Sequence, residues 1–140
     1  MNIIAIIVIS IIGLLFLFVI YMSWKKRKIA DLFRQMKLSG ATFVITPEYA
    51  SFRGATNTYG RVKCDGVIGL TDRKVIFMPM VGKKIEIPLN NIKDITEEKT
   101  FLGNIRPGMS FLVLHGNNVD IGFFVRDNLK WQNAITGMIK

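Results

Sequence analysis

Residues 3 to 22, IIAIIVISIIGLLFLFVIYM, carry no charged side chain, and only Ser10, Gly13 and the Tyr21 hydroxyl depart from pure hydrocarbon. At a helical rise of about 1.5 Å per residue, such a run spans roughly 30 Å, the thickness of a bilayer's apolar core. β-branched residues dominate it and disfavour a helix in water, but lipid leaves the backbone no other way to satisfy its polar groups. A buried core helix of this length would show one wetted face, and no polar stripe at helical spacing exists here. A signal peptide would need a cation ahead of a shorter apolar run and a small-residue cleavage site behind it. Met1 and Asn2 precede this run, and Tyr21, Met22, Ser23 and Trp24 end it. The expectation is a transmembrane helix over residues 1–23.

Lys25, Lys26, Arg27 and Lys28 follow directly, whereas only the terminal amine precedes the run. The positive-inside rule then puts the amino terminus outside and residues 25–140 in the cytoplasm, in an inner or plasma membrane crossed once. Tyr21 and Trp24 stand where amphipathic rings settle at a headgroup boundary, as interface anchors. The four cations can also attract anionic headgroups, at about 1 kcal/mol per charge near the surface. Because a membrane flank accounts for the basic run, no nucleic-acid partner is expected.

The chain holds 19 Lys and Arg against 10 Asp and Glu. Residues 23–40 contain six of the cations and one anion, net +5, leaving thirteen cations and nine anions, +4, for residues 41–140. Those hundred residues suffice for one small domain. The single cysteine, Cys64, excludes an internal disulfide and suits a reducing cytoplasm. Residues 24–40 read as a basic amphipathic juxtamembrane helix, with Ile29, Leu32, Phe33 and Met36 on one stripe and Gly40 as its terminating cap. That stripe can lie on the membrane surface or pack against the following domain; packing is the simpler choice.

From Ala41 the periodicity changes to two. Val119, Ile121, Phe123 and Val125 alternate with Asp120, Gly122, Phe124 and Arg126, and Ile85, Ile87 and Leu89 with Lys84, Glu86 and Pro88. KVIFMPM and MSFLVLHG add apolar runs able to face a core on either side. Turns are expected at Asp72-Arg73, Val81-Gly82, Arg106-Pro107-Gly108 and His115-Gly116-Asn117-Asn118. Short strands with short links imply a meandering antiparallel barrel or sandwich. The last segment differs: Asp127 is a good N-cap, and Trp131, Ala134, Ile135 and Met138 form one apolar helical face able to plug the open end of the sheet.

An α+β chain of seven antiparallel strands and a closing C-terminal helix has the plan of a pleckstrin-homology (PH)-like domain, and residues 41–140 resemble one family with that plan, the GRAM domains. The resemblance is carried by GVIGLTDRKVIFMP at 66–79, through Gly69, Leu70, Thr71, Asp72 and Phe77. It continues in IEIPLNNIKDI at 85–95, through Ile87, Pro88, Leu89, Ile92 and Ile95, and ends with Trp131 and Ile135. Nearly all are core or turn positions, so the likeness speaks to fold more than function. It implies a binding module for lipid headgroups or proteins rather than an enzyme.

Phosphoinositide-binding relatives place cations at the first hairpin. Here Arg53, Arg61 and Lys63 flank GATNTYG, and Lys83 and Lys84 occupy a later turn. Five cations on neighbouring loops permit a phosphate pocket without showing it, and a solvated basic surface is the simpler reading.

No catalytic constellation is readable. His115 is the only histidine and falls in a turn, adjacent Glu97 and Glu98 point to opposite strand faces, and no glycine-rich phosphate loop appears. No metal or cofactor is implied, and Cys64 reads as a small buried hydrophobe. Two function classes follow: a membrane-anchored module that docks proteins or anionic lipids at the cytoplasmic face, or an accessory subunit of a larger membrane complex. A tether already supplies lipid at high local concentration, which favours protein docking. Ala5, Ser10 and Gly13 show no four-residue spacing, so no helix-dimer face can be read. Leu112, Leu114 and Phe124, if outward-facing, would form an apolar patch that a monomer should not leave wet.

Overall fold

The computed structural model describes residues 1–56 and 63–139. Its first element, α1 (Ile3–Leu38), is a single unbroken helix of 36 residues, about 54 Å long. Asn2 caps its start by accepting from the Ile4 amide. Ser39 closes its end, and Gly40 follows at φ 76°, the left-handed conformation expected there of a glycine. The apolar segment and the amphipathic segment are therefore one rod. Its first part is exposed throughout, and it is the one helix among the described residues long and apolar enough to cross a membrane.

Seven strands form one antiparallel sheet: β1 (Phe43–Ala55), β2 (Cys64–Thr71), β3 (Lys74–Pro79), β4 (Ile85–Pro88), β5 (Ile92–Glu98), β8 (Phe111–Gly116) and β9 (Val119–Phe124). Two further strands, β6 (Thr100–Phe101) and β7 (Asn104–Ile105), make a small separate hairpin. The sheet order is β4-β3-β2-β1-β9-β8-β5. β1 joins its two halves. It pairs with β2 from Phe43 to Phe52 and with β9 from Ser51 to Ala55, shifting register between Phe52 and Ala55, where Gly54 adopts φ 104°. The helix α2 (Asn128–Ile139) then closes the sheet: Asp127 accepts from the Lys130 amide, and Trp131 and Ile135 are fully buried.

The core lies between the two halves and α2, built from Ile68, Leu70, Val75, Ile87, Leu112, Leu114 and Ile121 around the rings of Phe52, Phe77 and Phe123. Those rings meet at centroid distances of 5.5 to 6.0 Å in tilted pairs. The expected PH-like plan of a long apolar helix, seven antiparallel strands and a terminal helix is what forms. The segments carrying the GRAM resemblance fall in β2–β3 and β4–β5, with Leu70, Phe77, Ile87, Leu89, Ile92 and Ile95 all in the core.

One sequence reading needs correction. His115 and Gly116 belong to β8, so the turn is Asn117-Asn118 alone.

The apolar runs that could face either way have both faces covered. On β2 and β3, Val67 and Ile76 point outward, and the lower half of α1 covers them with Leu32 and Met36, joined by Ile29, Phe33, Phe43, Met78 and Met80. The amphipathic stripe thus packs against the domain. On β8 and β9, Phe111, Val113 and Phe124 point outward under Phe101 of the hairpin. Leu112 and Leu114 are core, and Phe124 is covered, so no wet patch results.

Candidate functional site

The two outer covers, α1 and the β6–β7 hairpin, leave the outward face of β1 open between them. There Tyr49, Ser51 and Arg53 follow each other at every second residue. The resulting groove holds about 1210 Å³. Its floor is Tyr49, Ser51, Arg53, Asp65 and Phe124; α1 supplies Phe33 on one side, and the chain after β7 supplies Arg106 and Met109 on the other. Arg126, Asp127 and Lys130 close the end at the start of α2. A smaller apolar groove continues from it along α1 past Met22, Lys25, Lys26 and Ile29.

Each acid in the large groove is engaged. Asp65 accepts from Lys25 Nζ at 2.9 Å, Glu48 from Lys130 Nζ and from the Trp131 indole, both at 2.7 Å, and Asp127 caps α2. The arginines are not so placed. The Arg53 and Arg106 guanidinium carbons lie 4.9 and 5.4 Å from the centre of the same ring, Phe124. Arg53 Nη1 reaches Ser51 Oγ only at 3.5 Å, and its Nε is buried with no acceptor. Burial first, and then the Arg106 charge, lower the Arg53 pKa from its ordinary value.

Lys25 is where α1 meets the barrel. Its ammonium sits 5.8 Å from the Tyr49 ring centre and bonds Asp65, and that hydrogen bond raises its pKa. Burial alone would raise the Asp65 pKa, but hydrogen bonds from Lys25, Ser51 and Tyr49 outweigh it and hold the carboxyl below its ordinary value of 3.8. A depressed folded-state pKa contributes stability that is present above the unfolded value and lost as pH falls through the folded one. With side chains 25% and 34% exposed, the pair is worth at most about 1 kcal/mol. We expect Asp65→Asn to lower the urea midpoint slightly at pH 7, and the difference from wild type to shrink as pH falls below the ordinary carboxyl value of 3.8; a difference that does not shrink with acidification would deny the carboxylate this role.

The other cations named from sequence lie apart. Arg27 is exposed, Lys26 is exposed at the smaller groove, and Lys28 is half-buried near Asp31. Lys84 pairs with Glu86 at 3.0 Å, an acid that also holds Lys74. Lys63 and Lys83 are exposed, and no contact among the described residues joins them to Arg53. Arg61 lies outside the described residues. Tyr21 and Trp24 stack loosely, 6.2 Å apart, on an exposed face of α1. Sequence reasoning read Arg106 only as a turn residue and missed its place over Phe124, because nothing local shows that the RPG turn folds back over β9.

One arrangement resembles a catalytic relay. His115 Nδ1 lies 2.7 Å from Asp120 Oδ1, and its Nε2 lies 2.6 Å from Thr96 Oγ1. These side chains stand on the flat face of β5, β8 and β9, they do not line the grooves described above, and the Thr96 hydroxyl also reaches Glu98 at 2.9 Å. Without a cavity or oxyanion donors, the relay is a cross-strand tie. Cys64 is half-buried against the core, and burial pushes its thiol up, away from the reactive thiolate. No group of three or more His, Cys, Asp or Glu residues able to hold a metal occurs among the described residues.

No family model matches the chain, and no curated protein matches it. Among solved structures it is similar to the N-terminal PH domain of Vps36, at 15% identity and a TM-score of 0.47, over 72% of this chain and 80% of that one. It is also similar to the C-terminal domain of an unknown protein from Leishmania infantum, at 14% identity and a TM-score of 0.47, over 86% and 99%. The PH-like description rests on strand order and the closing helix.

Proposed function

We propose that this chain is a non-enzymatic, single-pass membrane protein that docks proteins or anionic lipids at the cytoplasmic face through a PH-like, GRAM-type domain. The observation that carries this reading is the continuity of α1. An apolar span leads, without a break or hinge, into the stretch that packs on the barrel through Leu32 and Met36. A domain on a flexible linker would search a wide volume; this one is held at a fixed height and orientation over the leaflet. That suits a platform meeting its partners at the membrane surface.

Membership of a larger complex is the second reading, and a specific surface favours it. Met109 and Leu129 are exposed on either side of the hydrogen bond from Asn128 Nδ2 to the Ser110 carbonyl, with Ile105 exposed on the same loop. Such side chains suit a protein contact.

The anchor is tested first. The full-length protein should stay in the membrane pellet after alkaline carbonate washing, and protease added outside sealed cells should leave residues 25–140 intact. Release by carbonate, or digestion of the domain from outside, would remove the proposal.

A further inference from the structure

We propose that the groove between α1 and the β6–β7 hairpin holds the phosphate of one anionic phospholipid of the leaflet that α1 enters, clasped by Arg53 and Arg106 over the Phe124 ring. This rests on the reading of α1 as a membrane span. It adds a site on the outer face of β1, distinct from the loop cations Lys63, Lys83 and Lys84.

Depth selects a lipid rather than a soluble anion. The apolar run ends at Met22, and Trp24 and Lys25 follow at the interface. The polar zone of a bilayer adds roughly 5–7 Å on each side of the hydrocarbon, which is about four helical residues. Lys25 bonds Asp65, and Asp65 pairs across the sheet with Ser51. β2 runs outward along α1, since Asp65 meets Lys25 while Gly69 lies under Met36. β1 runs the opposite way, so Arg53, two residues past Ser51, stands about 6–7 Å nearer the membrane. The arginine pair therefore stands at the boundary between hydrocarbon and headgroups, where long side chains reach up to the phosphates while their stems stay among the acyl chains.

Chemistry selects an anion. Two guanidinium groups share one aromatic ring, with no carboxylate bonded to either among the described residues, and a buried Nε lacks an acceptor. Like charges brought together in a half-buried groove repel, and only the charge of Asp65, an acid already bonded to Lys25, and the Phe124 ring offset that. A phosphate accepting from both would satisfy them at once, since arginine forks suit its oxygens. Ser51 adds a hydroxyl beside them, and Phe124 holds both planes in place. Because the span already keeps the domain among lipids, even a weak site stays filled. Its work is to hold the outer face of β1 against the leaflet, not to recruit the protein.

The test uses the full-length chain in phosphatidylcholine nanodiscs containing phosphatidylglycerol, released into mild detergent and weighed by native mass spectrometry. Wild type should retain one phosphatidylglycerol per chain. Arg53→Gln and Arg106→Gln should each weaken retention about tenfold or more. Arg106 is exposed and its charge opposes that of Arg53, so its variant should not lower the urea midpoint, and lost retention would report on binding rather than folding. Lys83→Gln with Lys84→Gln should leave retention unchanged. Full retention by the double arginine variant overturns the site, as does loss in the lysine variant, which would move lipid binding to the loops while leaving the anchor reading intact. Equal retention of phosphatidylcholine and phosphatidylglycerol also overturns it. So does arginine-dependent binding of a soluble oligoglutamate peptide without lipid preference, which would make the ligand an acidic protein segment. Failure of the anchor itself would be read separately, by carbonate extraction.

Discussion

Replacing Trp131 with alanine is expected to cost about 3–5 kcal/mol of domain stability, a large share of the roughly 5–15 kcal/mol that a domain possesses. The indole is fully buried in the main core, and its N–H donates to Glu48 Oε1 at 2.7 Å. Truncation therefore opens a cavity under α2 and removes a partner from a carboxylate whose side chain is only 18% exposed. Lys130 would still hold the other oxygen. Trp131→Phe separates the two effects, since it keeps most of the apolar volume and loses only the hydrogen bond, at about 1.5–3 kcal/mol. Urea unfolding of the full chain in detergent, read by pulse proteolysis, gives both values. A loss below about 1 kcal/mol for Trp131→Ala would mean that α2 does not close the sheet.

Trp131 was legible in the sequence for the same reason that it matters. A helix at the end of a β-rich chain, with Trp131, Ala134, Ile135 and Met138 on one side, has one obvious place to bury that side. The strands with clean alternation, such as Val119 to Phe124, were legible too. What could not be read was what covers a strand with apolar residues on both faces. Val67 and Ile68 are adjacent and equally hydrophobic, yet one packs on α1 and the other in the core. Periodicity reports that both are buried and says nothing of the partners, which are set by tertiary contact. The candidate site suffered most from this. Arg53 was visible as one of several cations near a hairpin, but its pairing with Arg106, 53 residues later, depends on the chain after β7 returning across Phe124. Gly122 shows how tightly that region closes over β9: a Cβ there would stand 2.5 Å from the Phe101 ring.

Prising α1 off the barrel should have the other large effect, and it can be done in two unrelated ways. Met36→Asp puts a carboxylate where the side chain is fully buried against Val67 and Ile76. Gly69→Leu adds bulk instead of charge. Gly69 has an ordinary φ and is needed for space, since a Cβ would meet the Phe43 ring at 2.8 Å and Met36 Sδ at 3.0 Å. Burying Leu32 and Met36 contributes about 1.5–3 kcal/mol each, so these two side chains bring about 3–6 kcal/mol to docking, to which the partly buried Ile29 and Phe33 add, before the cost of ordering the 39–42 link. Met36→Asp cannot cost more than docking is worth, because the helix can swing away and leave the main core, which α1 does not enter, in place; Gly69→Leu must also turn the Phe43 ring of β1 aside. We therefore expect the barrel's urea midpoint to move little, while trypsin cleaves after Arg34 and Lys37 at least about tenfold faster and the outward face of β2–β3 exchanges its amide hydrogens more freely. The same release should weaken the tie between Lys25 and Asp65. Unchanged cleavage and exchange in both variants would show that α1 and the domain are not one rigid body, and the platform would reduce to a tethered module.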